Sequence, residues 1–173
     1  IIGAGLMGLL HLKLALLRGC RVVVIEPRED RRETALAAGA QYVIDPVNEN
    51  AESVISELTA NEGAEYIFFT AAKSSIAENA LKFLKKMGTI VYYGSFHPND
   101  PITLDPNSIH YGEYVITGSY SPSTVDFYTA SRLLSNRLIN VKDFLSEEWN
   151  VMDAQKAMKR ALDPDTFRVG INF

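Results

Sequence analysis

The residues of this chain best suited to chemistry stand at its beginning: Gly3-Ala4-Gly5-Leu6-Met7-Gly8, with Glu26 eighteen residues past the last glycine. In this spacing Gly3 suits a tight turn, Gly5 lets a pyrophosphate approach bare backbone, and Gly8 lets a helix pack closely on a strand. The N–H groups of Leu6 and Met7 would then face an anion at the positive end of a helix dipole. An acidic residue at this interval accepts hydrogen bonds from ribose hydroxyls and repels a 2′-phosphate, so Glu26 favours NAD over NADP. Arg28 and Arg31 work against that preference, because a nearby arginine can accommodate the phosphate.

Other candidate groups are better read as structural. His11 lies inside an apolar helical segment and suits packing or capping better than metal binding. His97, Asp100, Asp105 and His110 share one polar loop region, but their spacing matches no metal motif. Cys20, the single cysteine, follows Gly19 and precedes a strand, a place for a small buried residue. Ser74 and Ser75 read as helix caps with no histidine near them to act as a base, and Lys85-Lys86 as a solvated helix end. There is no Tyr-x-x-x-Lys pair and no Gly-Lys-Ser/Thr phosphate loop.

The elements that must position the glycines follow a βα rhythm. Arg21 to Ile25, Tyr42 to Ile44, Glu65 to Phe69 and Thr89 to Tyr93 are rich in β-branched and aromatic residues, with a shorter strand at Val115-Ile116. Between them the spacing predicts helices over Leu6 to Arg18, Arg28 to Ala38, Ala51 to Asn61 and Ser74 to Met87. Each is followed by Gly19, Gly39, Gly63 or Gly88, suited to the left-handed conformation after a helix. Apolar strands alternating with helices imply α/β architecture, a doubly wound parallel sheet covered on both faces. Phe96 to Asn107, with three prolines, reads as loop, and Ser123 to Asn136 as helix. In the tail, Asp153 stands as an N-cap before a helix, Asp163-Pro164-Asp165 breaks it, and Arg168 to Phe173 forms a short strand that does not continue the repeat. The expected division is a nucleotide-binding part over 1–140 and a tail over 141–173.

With 173 residues, 47% hydrophobic and 22% charged, the chain is of one-domain length and globular composition, neither disordered nor fibrous. A net charge of -4 and a pI near 5.4 argue against nucleic acid as a partner. The most apolar stretch, Leu6 to Leu17, is interrupted by His11 and Lys13 and is too short to span a bilayer, so a cytoplasmic protein without a membrane partner is expected. Only Ile1 and Ile2 precede the glycines, too little for a central strand, so residues belonging upstream are expected to be missing.

The runs IIGAGLMGLLHLKLALLRGCRVVVIEPREDRRETALAAGAQYVIDP, LKFLKKMGTIVYYGSF and YVITGSYSPSTVDFYTASRLL, with the closing AQKAMKR and FRVGINF, together resemble the cofactor-binding half of zinc-containing medium-chain dehydrogenases, in the sorbitol, threonine and polyol branch. The resemblance implies a Rossmann fold with strand order 3-2-1-4-5-6 and hydride transfer between an alcohol or carbonyl substrate and NAD, with NADP less favoured. It assigns pyrophosphate to the glycine turn (Gly3, Gly5, Leu6, Met7, Gly8), the adenosine ribose to Glu26 and Arg31, and the cofactor cleft to Thr70 and Ala71. Tyr93, Gly94, Ser119 and Ser121 match positions around the nicotinamide carboxamide. Phe69 and Ala72 depart from the pattern, standing where many members have an acidic residue and a glycine. The zinc ligands of such enzymes lie in a separate N-terminal domain, so this chain would orient cofactor without supplying the catalytic acid. The resemblance also implies a homodimer or homotetramer paired through Val115 to Gly118, and a tail packed on the catalytic domain. Alternatives are a zinc-free reductase of the quinone oxidoreductase type and a non-catalytic NAD(H)-sensing module. A methyltransferase on the same sheet fits less well.

Overall fold

The computed structural model describes residues 1–163 and 165–173. They form two compact units, Ile1–Ser121 and Pro122–Phe173, so α6 (Thr124–Ser135) groups with the residues that follow it.

The first unit is a parallel α/β sheet. β1 (Val23–Ile25) pairs with β2 (Tyr42–Ile44), and β3 (Ala64–Phe69) with β4 (Leu84–Tyr92), which in turn pairs with β5 (Val115–Gly118); all these pairs are parallel. Ile2 bridges Ile25 on one side and Phe69 on the other, so neighbours run β2, β1, Ile2, β3, β4, β5. The central stretches Val23–Ile25, 67–69 and 90–91 are apolar because both faces are covered there. Ile25, Ile44, Ile67, Phe69 and Ile90 pack with Ile55 of α3 (Ala51–Leu58) and with Ala77 of α4 (Ser74–Asn79) in one cluster. Val24 alternates with Ile25 and so points to the other face, where Leu9 and Leu12 of α1 (Leu6–Leu17) and Ala35 of α2 (Glu29–Ala37) are buried. Leu14 and Leu17 on the outer side of α1 remain 43% and 44% exposed.

Several local expectations are corrected. The helix from Ser74 stops at Asn79, tightens into a 3₁₀ turn over Ala80–Phe83, and gives way to β4 at Leu84. Leu84 pairs with Ala64, but the next pair is Thr89 with Tyr66, so residues 85–88 bulge out of the ladder. Gly19, Gly39 and Gly63 take positive φ as expected, whereas in the bulge it is Met87 that does so, at 64°. Lys85 and Lys86 therefore lie on the strand, paired with Glu62 and Glu113. Lys73, not a serine, is the N-cap of α4, and the Ser74 hydroxyl donates to Asp100 instead. The supposed loop contains α5 (Pro106–Gly112), capped by Asp105 through the N–H groups of Asn107 and Ser108. Cys20 is exposed, because the strand begins only at Val23.

In the second unit α6 carries a capping box between Ser123 and Asp126. The tail holds a strand that was not expected, β6 (Glu147–Asn150), parallel to β7 (Val169–Asn172) and connected to it through α7 (Ala154–Arg160). Its polar sequence hides it, and partners stabilise it: Glu147 accepts from Arg160 Nε and Trp149 Nε1. Asp153 occupies the N-cap position of α7, but its carboxylate pairs with Lys156 rather than capping. Pro164, within the predicted break, lies outside the described residues. Among the described residues no helix is long and apolar enough to cross a membrane.

Candidate functional site

The carboxyl ends of five parallel segments share one register. Ile2, Ile25, Phe69, Tyr92 and Gly118 are linked by successive pairings, so the residues that follow them (Gly3, Glu26, Thr70, Tyr93 and Ser119) form a row along one sheet edge. Every one of these is a candidate from the sequence. The reversal of strand order around Ile2 puts the glycine turn at the crevice where open α/β sheets bind ligands.

Each glycine of the turn has its own physical reason. Gly3 has φ 98°, and a Cβ there would lie 2.9 Å from Thr70 Oγ1. A Cβ on Gly8 would fall 1.9 Å from the Gly3 carbonyl oxygen, so the helix can seat on the turn only if this residue has no side chain. Gly5 differs: its φ is an ordinary -70°, and the nearest atom to an added Cβ is Arg31 Nη1 at 3.9 Å. Nothing in the packing demands glycine at position 5, and the space a side chain would fill lies open beside a guanidinium. Gly5 is also the N-cap of α1 and offers no side-chain acceptor to the first-turn N–H groups, whereas Asn50, Asp105 and Ser123 cap α3, α5 and α6. A bare, dipole-positive helix start beside an arginine suits an oxyanion.

Glu26 is the buried charged residue of the core, 5% exposed. Its Oε2 accepts from the Ala4 N–H at 2.7 Å and its Oε1 from the Arg28 N–H at 3.1 Å. The carboxylate thus ties the glycine turn to the β1–α2 turn while standing at the row of strand ends. Two arginines beside it are engaged with carboxylates of this chain: Arg28 holds Asp30 through Nε and Nη2, and Arg32 Nη2 lies 3.1 Å from Asp45 Oδ2. The Val47 N–H and the Asn48 side chain, with the Arg32 charge beside them, hold the Asp45 carboxyl below the usual carboxylate range.

On the far side of the turn, the Thr70 hydroxyl donates to the Ile2 carbonyl at 2.9 Å, so the side chain braces the strands. A Cβ on Gly94 would meet the Ala71 carbonyl oxygen at 2.7 Å, bringing the ends of β3 and β4 into close approach. Tyr93 packs edge-on against His11, 4.8 Å between ring centroids, and His11 also contacts Phe68 at 5.0 Å. His11 Nδ1 donates to the Met7 carbonyl at 2.7 Å, and burial holds its pKa below 6.5 despite that bond. Ser119 and Ser121 are exposed, Ser121 with φ 63°. The polar loop residues do not converge: Asp105 caps α5, Asp100 accepts from Ser74, and His110 packs on Tyr111. Among the described residues no group of three His, Cys, Asp or Glu side chains could hold a metal ion. Spacing alone did not reveal the Ala4–Glu26 bond, the Arg32–Asp45 pair or the His11–Tyr93 contact, because each joins residues from separate elements.

A parallel α/β sheet with a glycine turn at its switch point defines a Rossmann-type domain, and solved structures bear this out. Benzyl alcohol dehydrogenase from Acinetobacter calcoaceticus superposes with a TM-score of 0.87 at 22% identity, over 98% of this chain and 48% of that one. 2R,3R-butanediol dehydrogenase from Bacillus subtilis does so with a TM-score of 0.88 at 18% identity, over 99% and 49%. The chain belongs to the zinc-binding dehydrogenase family, whose model matches residues 7–136. L-threonine 3-dehydrogenase from Pyrococcus horikoshii is 31% identical over 159 residues, 88% of this chain and 44% of that protein. Sorbitol dehydrogenase from Halalkalibacterium halodurans is 26% identical over 159 residues, 91% and 46% respectively. The chain thus spans less than half the length of these relatives.

Proposed function

We propose that this chain is the NAD-binding portion of a dehydrogenase that oxidises a small alcohol, with polyols and hydroxy amino acids as the substrate classes suggested by its relatives. The observation that carries this reading is the open face of Gly5, bounded by the bare start of α1 and the buried carboxylate of Glu26. The residues fit a dinucleotide. The Leu6 and Met7 N–H groups would take the pyrophosphate, with Arg31 at the edge of the adenosine ribose site. Glu26 would accept from the ribose hydroxyls, and the Tyr93, Gly94, Ser119 and Ser121 backbone would take the carboxamide. Bound there, a nicotinamide supplies hydride transfer. This chain's own part would be to fix the orientation of the ring. Glu26 supports NAD over NADP, and the engagement of Arg28 with Asp30 and of Arg32 with Asp45 leaves their charge partly neutralised before a 2′-phosphate arrives. The donor set for a catalytic zinc is not met by the described residues, and we assign that metal to a catalytic portion outside this chain. The second unit would pack on that portion. The edge strand β5, with β4 as its neighbour on one side and Val115 51% exposed, would pair with a second copy in a dimer or tetramer.

Calorimetric titration of the natural full chain with NADH and NADPH tests the reading. Saturable NADH binding at least about tenfold tighter than NADPH supports it, since that ratio corresponds to about 1.4 kcal/mol of discrimination. Equal or tighter NADPH binding refutes the assignment of preference, and no binding of either refutes the cofactor site.

A further inference from the structure

The turn that carries Glu26 is held by a residue that none of the nucleotide assignments include. We propose that Arg32 is a positioning residue for Glu26, and that with Asp45 it sets the affinity of the site for the adenosine ribose of a dinucleotide. The inference rests on the reading of Glu26 as the ribose acceptor.

Val23, Val24 and Ile25 pair with Tyr42, Val43 and Ile44, so Glu26 comes opposite Asp45, and the Glu26 N–H donates to the Ile44 carbonyl at 3.1 Å. In a parallel ladder the Glu26 carbonyl would then accept from the N–H of residue 46. That residue is Pro46, which has no N–H to give. The Glu26 carbonyl is instead taken by Arg32 Nη1 at 3.0 Å, and the same nitrogen donates to the Pro27 carbonyl at 2.6 Å. Arg32 Nη2 meets Asp45, the residue before that proline, and both side chains are only 15% exposed. A guanidinium therefore replaces the missing rung.

Only a planar fork with several donors can span two carbonyls and a carboxylate at once. Asp45 is itself held firmly, accepting from the Val47 N–H at 3.0 Å and from Asn48 Nδ2 at 2.9 Å, so the anchor point does not drift. What the fork steadies is the Glu26-Pro27-Arg28 backbone. The Glu26 carboxylate is aimed by that backbone and accepts from the Arg28 N–H within it. Releasing the carbonyls frees the turn and lets the carboxylate leave the orientation in which its remaining lone pairs face the ribose.

The test is a double-mutant cycle on NADH affinity in the natural full chain, using Arg32→Met, Glu26→Gln and the double variant, with thermal unfolding of each. If Arg32 acts through Glu26, Arg32→Met weakens NADH binding by about tenfold when Glu26 is present and by less than about twofold in the Glu26→Gln background. Arg32→Met would lower thermal stability in both backgrounds, whereas its loss of NADH affinity would be confined to the background that keeps Glu26, a separation that a merely structural role would not give. Arg32→Lys should restore only part of the affinity. Should Arg32→Met fail to fold, Asp45→Asn runs the same cycle, since it removes the ionic anchor without changing side-chain size. Equal weakening with and without Glu26, or NADH binding unchanged by Arg32→Met, overturns the proposal while leaving the cofactor site intact. Absence of NADH binding in the parent protein overturns the ribose reading and this inference together.

Discussion

Replacing Glu26 should destabilise the protein before any nucleotide is added, and the size of the effect can be worked from its two bonds. Ala4 is fully enclosed, and its N–H finds the Glu26 carboxylate at 2.7 Å. A hydrogen bond from a buried N–H to an ionised acceptor contributes about 1.5–3 kcal/mol, and Glu26→Ala leaves that donor with no partner. The Arg28 N–H, 3.1 Å away in a half-exposed turn, can turn to water, so its loss adds about 1 kcal/mol or less. Glu26→Ala should therefore cost about 2–4 kcal/mol. Glu26→Gln keeps one acceptor oxygen for Ala4 and presents its amide to the Arg28 N–H, and should cost about 1 kcal/mol. Urea unfolding of the ligand-free protein measures both, and a shift of midpoint with unchanged slope identifies a change in stability rather than in the unfolded state. An alanine variant within about 0.5 kcal/mol of the parent would refute the reasoning, because surface substitutions fall in that range. It would mean that the carboxylate does not hold the glycine turn.

Three further outcomes follow from the same region. Gly5→Ala should fold like the parent, since its Cβ meets only Arg31 Nη1 at 3.9 Å, yet lose NADH binding by about tenfold or more by occupying the open face; Gly8→Ala, whose Cβ would lie 1.9 Å from the Gly3 oxygen, should lose about 3 kcal/mol of stability or more, and thermal unfolding beside calorimetry separates the two. Burial lowers the pKa of His11 below 6.5, so the unfolded chain takes up that proton first as the pH falls; the stability contributed by the neutral ring is complete above 6.5 and is lost as pH drops through the folded value, and His11→Gln should flatten the pH dependence of the urea midpoint on the acid side of 6.5.

The βα rhythm was legible because the inner stretches of β1, β3 and β4 are covered on both faces and write themselves as apolar runs. Boundaries were less legible where pairing overrides local preference. Lys85, Lys86 and Met87 carry a helical pattern, but the pairing of Leu84 with Ala64 ends the helix early and throws residues 85–88 into a bulge. β6 was invisible because Glu147-Glu148-Trp149-Asn150 has no apolar run and is held by Arg160 from α7. α5 did have a readable signal, Asp105 as N-cap followed by Pro106 at the first helical position, which the neighbouring prolines obscured. In the candidate site, spacing pointed to the glycines and Glu26, since one turn and one strand set their interval. It could not reveal Arg32, whose role depends on a proline in the neighbouring strand and on main-chain oxygens that no residue type announces.

The way Ile2 joins the sheet has a mechanical consequence. The β1–β2 and β3–β5 blocks meet across a seam whose main-chain bonds run from the Ile2 N–H to Phe68, from Thr70 to the Ile2 carbonyl, from Gly3 to Ile25, and from Ile25 to Ile1. Glu26 stands on one bank of that seam and Thr70 on the other. A molecule lying along the row of strand ends would thus strap the two blocks together across Ile2. By mass action a ligand at a hundred times its Kd adds about 2.7 kcal/mol to the folded state. Here that gain would include resistance of the two blocks to parting.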